Sequence, residues 1–358
     1  MGKTRFALIG GGMAGPLSAN AIKSIDNAEI IAFCDVNEAV CQQYKKEYQI
    51  PYVYTDYKEM LKNDDIDVVC VITPPFLHEQ MVKDIAKSKK HIICEKPIAT
   101  NLIEADNMIA VCEKEGITLG VIFMYRFMKQ ALTIKDAIDS GKIGRLLSVD
   151  CIGKSFRSDE YYASGKWRGT WSGEGGGSLI SQTVHFIDLM LFIAGDVESL
   201  SGDYMTTIHD DIEVDDMANA IFKFKNGAIG SVVSSTAIKP GYPRRLEIHG
   251  EKGTIILEEE KIIQWKIEGM NEDDYLTKEI IDSGDTATKA GYVNYELHKL
   301  QIEDFIEAIQ NNRKPKIDGH EGRRALEFIR AIYISGMTGK KVQFPVEDDG
   351  KTYKKSLS

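Results

Sequence analysis

Apolar residues follow two alternating rhythms over the first third of the chain. Short runs rich in Val, Ile and Phe at residues 5–9, 29–34, 68–72, 91–94 and 118–123 read as strands. Between most of them, at 13–24, 38–48, 77–88 and 103–115, apolar positions recur at helical spacing. Apolar runs separated by helices predict a parallel sheet covered on both faces. After Phe123 the rhythm changes. Residues 131–140 read as a helix closed by Gly141, and 146–156 as a long strand. Segments 217–224 and 228–235 alternate around Lys225-Asn226-Gly227, and 246–249 and 254–257 flank Gly250-Glu251-Lys252-Gly253, both hairpin patterns. A further antiparallel segment is expected at 262–267, closing helices at 294–311 and 322–335, and a mobile polar tail after Pro345. Too few helices remain in this half to cover both faces of its sheet, so an apolar face is left to find a partner.

One stretch interrupts these rhythms. Gly175-Gly176-Gly177 opens an apolar run in which Leu179, Thr183, Phe186, Ile187 and Met190 recur at helical spacing, with His185 inside it. The periodicity predicts a buried helix starting at the glycines. A histidine there is either a satisfied core residue or a proton-transfer group.

Length and composition bound the rest. At 358 residues the chain is expected to form two domains, 1–126 and 127–358, joined by a short hinge near Arg126. With 43% hydrophobic and 27% charged residues it reads as an ordinary globular protein. The net charge of -10 argues against nucleic acid or anionic lipid as the main partner. No run approaches the ~18 apolar residues of a membrane span, and no signal peptide is expected. Six cysteines without a C-x-x-C pair read as reduced core thiols of a cytoplasmic protein, and no metal site is expected. The acidic clusters Asp210-Asp211, Asp215-Asp216 and Glu258-Glu259-Glu260 read as solvated turns.

The chemistry is concentrated at strand ends. Gly10-Gly11-Gly12-Met13-Ala14-Gly15 fits G-x-G-x-x-G, follows a strand and opens a helix, whose N-terminus favours phosphates. Asp35, at the end of the second strand, is placed to bind both ribose hydroxyls and repel a 2′-phosphate, which selects NAD over NADP. Thr73-Pro74-Pro75-Phe76-Leu77-His78 halts the third apolar run, 68–72, with two prolines. Cys94-Glu95-Lys96-Pro97 puts a Glu-Lys pair at the carboxyl end of another, where a partly desolvated lysine can hold or donate a proton. In an open α/β sheet, ligands lie outside these strand ends. The loop 161–174 interleaves aromatic rings with Lys166 and Arg168, which suits stacking on a sugar or a nicotinamide.

Together these pieces resemble the glucose–fructose oxidoreductase / inositol 2-dehydrogenase (Gfo/Idh/MocA) family of NAD(P)-dependent oxidoreductases. The carriers are Gly10–Gly15, Asp35, Thr73-Pro74-Pro75 with His78, Glu95-Lys96-Pro97, Tyr125-Arg126-Phe127, Trp167-Arg168-Gly169-Thr170-Trp171, Gly175–Asp188 and Gly319–Leu326. The resemblance covers nearly the whole chain. It implies an α/β protein, an N-terminal Rossmann domain followed by a C-terminal α/β domain with an open, mainly antiparallel sheet.

It also implies that Gly10, Gly12, Met13, Asp35, Thr73, Pro74, His78, Glu95, Lys96 and Arg126 contact NAD, with Trp167 and Arg168 reaching its nicotinamide half from the second domain. Lys96 and His185 would flank the reacting carbon of a sugar, polyol or sugar derivative. His185 would take the hydroxyl proton as the hydride leaves, and Lys96 would stabilise the oxygen's developing charge. Tyr125, Tyr161, Tyr162 and Ser181 are candidates for gripping substrate hydroxyls. Many family members carry Asp, others Asn, four residues before the histidine; this chain has Ser181, one helical turn from His185. The free sheet face implies a homodimer or homotetramer. Two other readings remain: an NAD-dependent glycosidase using transient oxidation, and a non-catalytic NAD-binding regulatory protein.

Overall fold

The computed structural model describes residues 2–276 and 295–353. They form two compact units. One runs to Met124 and takes in the segment ending at Arg323; the other begins at Tyr125 and resumes at Arg324.

The first unit is built on six parallel strands: β1 (Thr4–Ile9), β2 (Ala28–Cys34), β3 (Tyr52–Tyr54), β4 (Val68–Val71), β5 (His91–Cys94) and β6 (Leu119–Val121). Their order is β3-β2-β1-β4-β5-β6, the doubly wound dinucleotide-binding arrangement. Helices α1 (Gly15–Lys23), α2 (Glu38–Tyr48), the short α3 (Tyr57–Met60), α4 (His78–Lys87) and α5 (Leu102–Glu115) connect them. The central strand β4 is buried at every residue, as its unbroken Val-rich run requires. Strand β3 was not among the expected elements: it has three residues at the sheet edge and too little apolar content to register as a run.

Compared with a single cut after residue 126, the chain returns to this unit late. Helix α10 (Glu296–Gln310) covers β6: the Gln301 amide donates to Val121 O at 2.7 Å and accepts from Phe123 N at 3.1 Å. Phe305 lies where a side chain at Gly120 would stand. The buried polar ends of β6 require partners, and α10 supplies them. Residue 294, the expected start of this helix, lies outside the described residues.

The second unit carries α6 (Lys129–Asp139), β7 (Leu146–Lys154), α7 (Asp159–Ala163), α8 (Trp171–Glu174), α9 (Val184–Ala194) and β8 (Val197–Met205). Strands β9 (Met217–Phe224), β10 (Ile229–Ser235), β11 (Arg245–Gly250), β12 (Gly253–Glu258) and β13 (Lys261–Ile267) follow, then α11 (Gly319–Thr338), which begins in the first unit's returning segment, and β14 (Val342–Gln343). The sheet order is β13-β12-β11-β7-β10-β9-β8-β14, antiparallel except for the parallel pair β7–β10. Both expected hairpins form. One face, with Val149, Cys151, Val232, Leu246 and Ile248, is buried. On the strands' other side Ile221 and Ile229 are 69% and 62% exposed.

Two expectations are corrected here. The tail is docked through Tyr353, not mobile: β14 pairs with β8, and buried Arg330 makes two 2.8 Å hydrogen bonds to the Asp348 carboxylate. Residues 354–358 lie outside the description. The helical stretch Trp171–Ala194 is also long and apolar enough to cross a membrane, but 83% of its most apolar window is buried inside the protein.

Candidate active site

The glycine turn after β1 has the shape that close approach of a dinucleotide requires. Gly10 sits at φ +100°, and a Cβ there would stand 2.6 Å from Ile72 O, so only glycine fits. A Cβ on Gly12, by contrast, would meet nothing within 4 Å, leaving the backbone open to a ligand. Met13 beside it is 68% exposed. Asp35 is aimed at this turn: one carboxylate oxygen accepts from Gly11 N at 2.8 Å and the other from Asn37 N at 2.9 Å. The residues present therefore fit an adenosine ribose at Asp35 and a pyrophosphate over the turn.

His78 takes a different place from that expected. Its ring is fully buried, with Nε2 2.9 Å from Thr73 O and Nδ1 3.1 Å from both Pro97 O and Ile98 O. Burial lowers its pKa. The ring ties the turn after β4 to the turn after β5, placing Thr73, Pro74 and Lys96 rather than presenting a contact itself. Glu95 is also buried. Its Oε2 accepts from Lys96 N at 3.2 Å, while Oε1 has no hydrogen-bond partner among the described residues. Burial raises its carboxyl pKa and the Lys96 charge pulls it back.

In the second unit the glycine-rich stretch does not begin as an ordinary helix. Leu179–Thr183 winds as a π-helix that runs into α9, a local widening common at functional sites. What fixes it is Asp215, a member of a cluster expected to be solvated and instead buried. Its carboxylate accepts from Gly177 N (2.8 Å), Ser178 Oγ (2.7 Å) and Tyr333 OH (2.6 Å). A Cβ on Gly177 would collide with the Asp215 backbone. The triple glycine thus permits close backbone approach, and helix α9 starts from a clamped end. Ser181 Oγ donates to Gly177 O at 2.8 Å.

His185 is buried on α9, its ring 5.4 Å from that of Tyr125. Tyr125 OH accepts from Arg244 Nη2 at 2.9 Å, and Arg244 in turn pairs with Glu259 at 2.8 Å. Glu259 is therefore a partner in a mostly buried network, not a solvated charge. Arg126, expected on NAD, is spent on α9: its guanidinium is buried against Asp188, with bonds of 2.8 and 2.5 Å. A buried charge is stable only when so paired.

The aromatic loop forms a second cluster. Arg168 Nη1 donates to Tyr161 OH at 2.7 Å, and its guanidinium lies 4.4 Å from the ring centres of both Tyr161 and Trp167. Gln182 Nε2 also donates to Tyr161 OH, and Arg157 Nη2 donates to Gln182 Oε1 at 2.6 Å. Tyr162 turns away, its hydroxyl 2.8 Å from Thr236 Oγ1. Arg157, Gln182, Asp215 and Arg244 were not among the sequence candidates. Arg157 and Arg244 sit in stretches without a motif, Gln182 is hidden in the apolar run before His185 and Asp215 in an acidic pair, and only the fold gives them their partners.

Known proteins bear directly on this arrangement. Residues 4–123 match the model of the oxidoreductase family with an NAD-binding Rossmann fold, and 131–256 match the GFO/IDH/MocA C-terminal domain. The chain is 27% identical over 336 residues to myo-inositol 2-dehydrogenase of Thermotoga maritima, covering 90% of this chain and 93% of that protein. It is 30% identical over 262 residues to D-apiose dehydrogenase of Rhizobium rhizogenes, covering 72% and 74%. The WlbA dehydrogenase from Bordetella pertussis, solved with NADH and UDP-GlcNAcA, superposes with a TM-score of 0.85 at 27% identity over 96% of this chain and all of that one. Glycine turn, the carboxylate after β2, strand order and both matched domains agree: the chain belongs to the Gfo/Idh/MocA family of NAD-binding oxidoreductases.

Proposed function

We propose that this protein transfers a hydride between NAD and a hydroxyl or carbonyl carbon of a sugar, polyol or sugar derivative. The observation that carries this reading is Lys96, held at the carboxyl end of β5 by a buried Glu95 and the His78 latch, in a sheet whose β1 turn fits NAD. The inositol and apiose dehydrogenases among its relatives, and the nucleotide sugar bound by WlbA, support a sugar-like substrate.

NAD supplies the hydride acceptor or donor; the chain's own residues do the rest. Asp35 holds the ribose hydroxyls, and the Gly10–Gly12 backbone and Thr73 and Pro74 line the approach. The Lys96 ammonium stabilises negative charge growing on the substrate oxygen. His185 takes the hydroxyl proton during oxidation and returns it during reduction. Tyr161 and Ser181, with the Arg168–Trp167 pair, form the polar wall for the remaining hydroxyls. The test is a panel of sugars, polyols, sugar acids and nucleotide sugars with NAD and NADP, followed by nicotinamide fluorescence. NADH formation with one class supports the reading, and a panel without turnover sinks it.

Asp35→Ala is expected to weaken NAD binding while leaving NADP binding nearly unchanged, because the ribose acceptor and the repulsion of a 2′-phosphate disappear together. An unaltered NAD/NADP ratio in fluorescence titration counts against the assignment. We also infer a homodimer or homotetramer through the outer sheet face that exposes Ile221 and Ile229. Sedimentation at micromolar concentration is expected to show it, and monomer alone would refute it. Six free, buried cysteines favour a reducing, cytoplasmic setting.

A further inference from the structure

Helix α10 brings to Lys96 a side chain that no motif announces. Gln301 clasps the end of β6 through Val121 O and Phe123 N, and β6 pairs with β5 through Val121 and Cys94. Residue 298 lies one turn toward the N-terminus of α10 on the same face, so the helix carries it past the strand ends toward the Glu95-Lys96 turn. That residue is His298, only 3% exposed, with Nδ1 lacking any hydrogen-bond partner among the described residues. Glu95 Oε1, in the adjoining turn, is the other orphaned buried atom of this region. Buried polar atoms are nearly always satisfied, and exceptions mark groups with work to do when the site is loaded.

We propose that His298 is a positioning residue for Lys96: in the working enzyme its imidazole Nδ1 accepts a hydrogen bond from the Lys96 ammonium, directly or through one water. This rests on the role proposed for Lys96 above. Burial, and next the Lys96 charge, push the His298 pKa down to about 4. The ring is therefore neutral at working pH, which is the state that can accept. The titratable groups of the neighbouring elements are few. The β5 turn contributes Glu95 and Lys96, and α4 contributes His78, which is committed to backbone carbonyls. Helix α1, packed along α10, carries only Lys23, engaged by Tyr48 O. On α10 itself Glu296 and Lys299 flank the ring in sequence, and buried Asp304 is paired with Arg313. Neutral His298 thus stabilises the charged lysine without adding a competing charge.

The test compares His298→Leu, which removes the acceptor, with His298→Asn, whose amide oxygen can stand near Nδ1. Removing an acceptor from an ammonium lowers its pKa. In His298→Leu the alkaline limb of the kcat profile is expected to move down by about one pH unit, the shift that accompanies a tenfold change in proton affinity. NADH affinity should stay unchanged, and His298→Asn should keep the wild-type limb. A wild-type profile in His298→Leu, with the Lys96 pKa read directly by acylation also unmoved, overturns the proposal. If that variant does not fold, His298→Gln replaces it: its amide reaches the Nε2 position, so the limb must still move, and a profile matching His298→Asn overturns the proposal. The lysine is also read directly, by pH-dependent acylation of Lys96 followed by peptide mass spectrometry in the same variants. An unmoved acylation pKa refutes the His298 assignment itself. A moved one without any effect on rate supports it and refutes instead the role of Lys96 in turnover.

Discussion

Lys96→Met is expected to lower turnover by at least ~10²-fold while leaving NAD affinity near the wild-type value. The two effects separate because the groups are separate. The dinucleotide is gripped at the β1 turn, where Gly10, Gly12 and the Asp35 carboxylate are fixed by bonds that Lys96 does not enter. Lys96 sits two strands away across the sheet, at the end of β5, and its proposed contribution is charge at the substrate oxygen. Methionine keeps the length and apolar stem and removes the ammonium. A second consequence follows at Glu95. Burial raises its carboxyl pKa and Lys96 opposes the rise, so loss of the lysine pushes it higher still. Steady-state rates with fluorescence titration of NADH check the first expectation. A variant of near-normal rate, or one that has lost NAD affinity instead, contradicts it.

Arg126→Met is expected to cost roughly 3–5 kcal/mol of stability, the penalty for leaving a buried carboxylate without its partner. Asp188 is nearly inaccessible and takes two bonds from this guanidinium, which also lies 5.2 Å from the Phe192 ring centre. Methionine fills part of the volume but cannot neutralise the charge. Urea titration should show a lower midpoint at an unchanged slope, and NAD affinity of the folded protein should hold. A stable variant with weakened NAD binding would return Arg126 to the cofactor-contact role that the family resemblance implied.

These two residues show what was legible in the chain and what was not. Lys96 was visible because a Glu-Lys pair at the end of an apolar strand breaks the local rule that buried strand ends carry no charge. The glycine turn and Asp35 were visible because turn, strand and helix are contiguous and their spacing is fixed by the βαβ unit. Both hairpins were visible from their turn residues. The partner of Arg126 was hidden because Asp188 lies on a helix 62 residues later, and chain separation hides such pairs. Asp215 was hidden in the same way: beside Asp216 it looked like a solvated acidic turn, yet it anchors Gly177, Ser178 and Tyr333. The return of α10 was invisible too, since its amphipathic pattern says that it packs but not on which unit.

The most direct test of hydride transfer uses whichever substrate the panel returns, deuterated at the carbinol carbon, with the wild-type enzyme and NAD. Mass spectrometry of the nicotinamide product reports where the label goes. Direct transfer predicts NADH carrying one deuterium at C4 of its ring, in step with the substrate oxidised. Unlabelled NADH, or product formed with no net NADH, would contradict it.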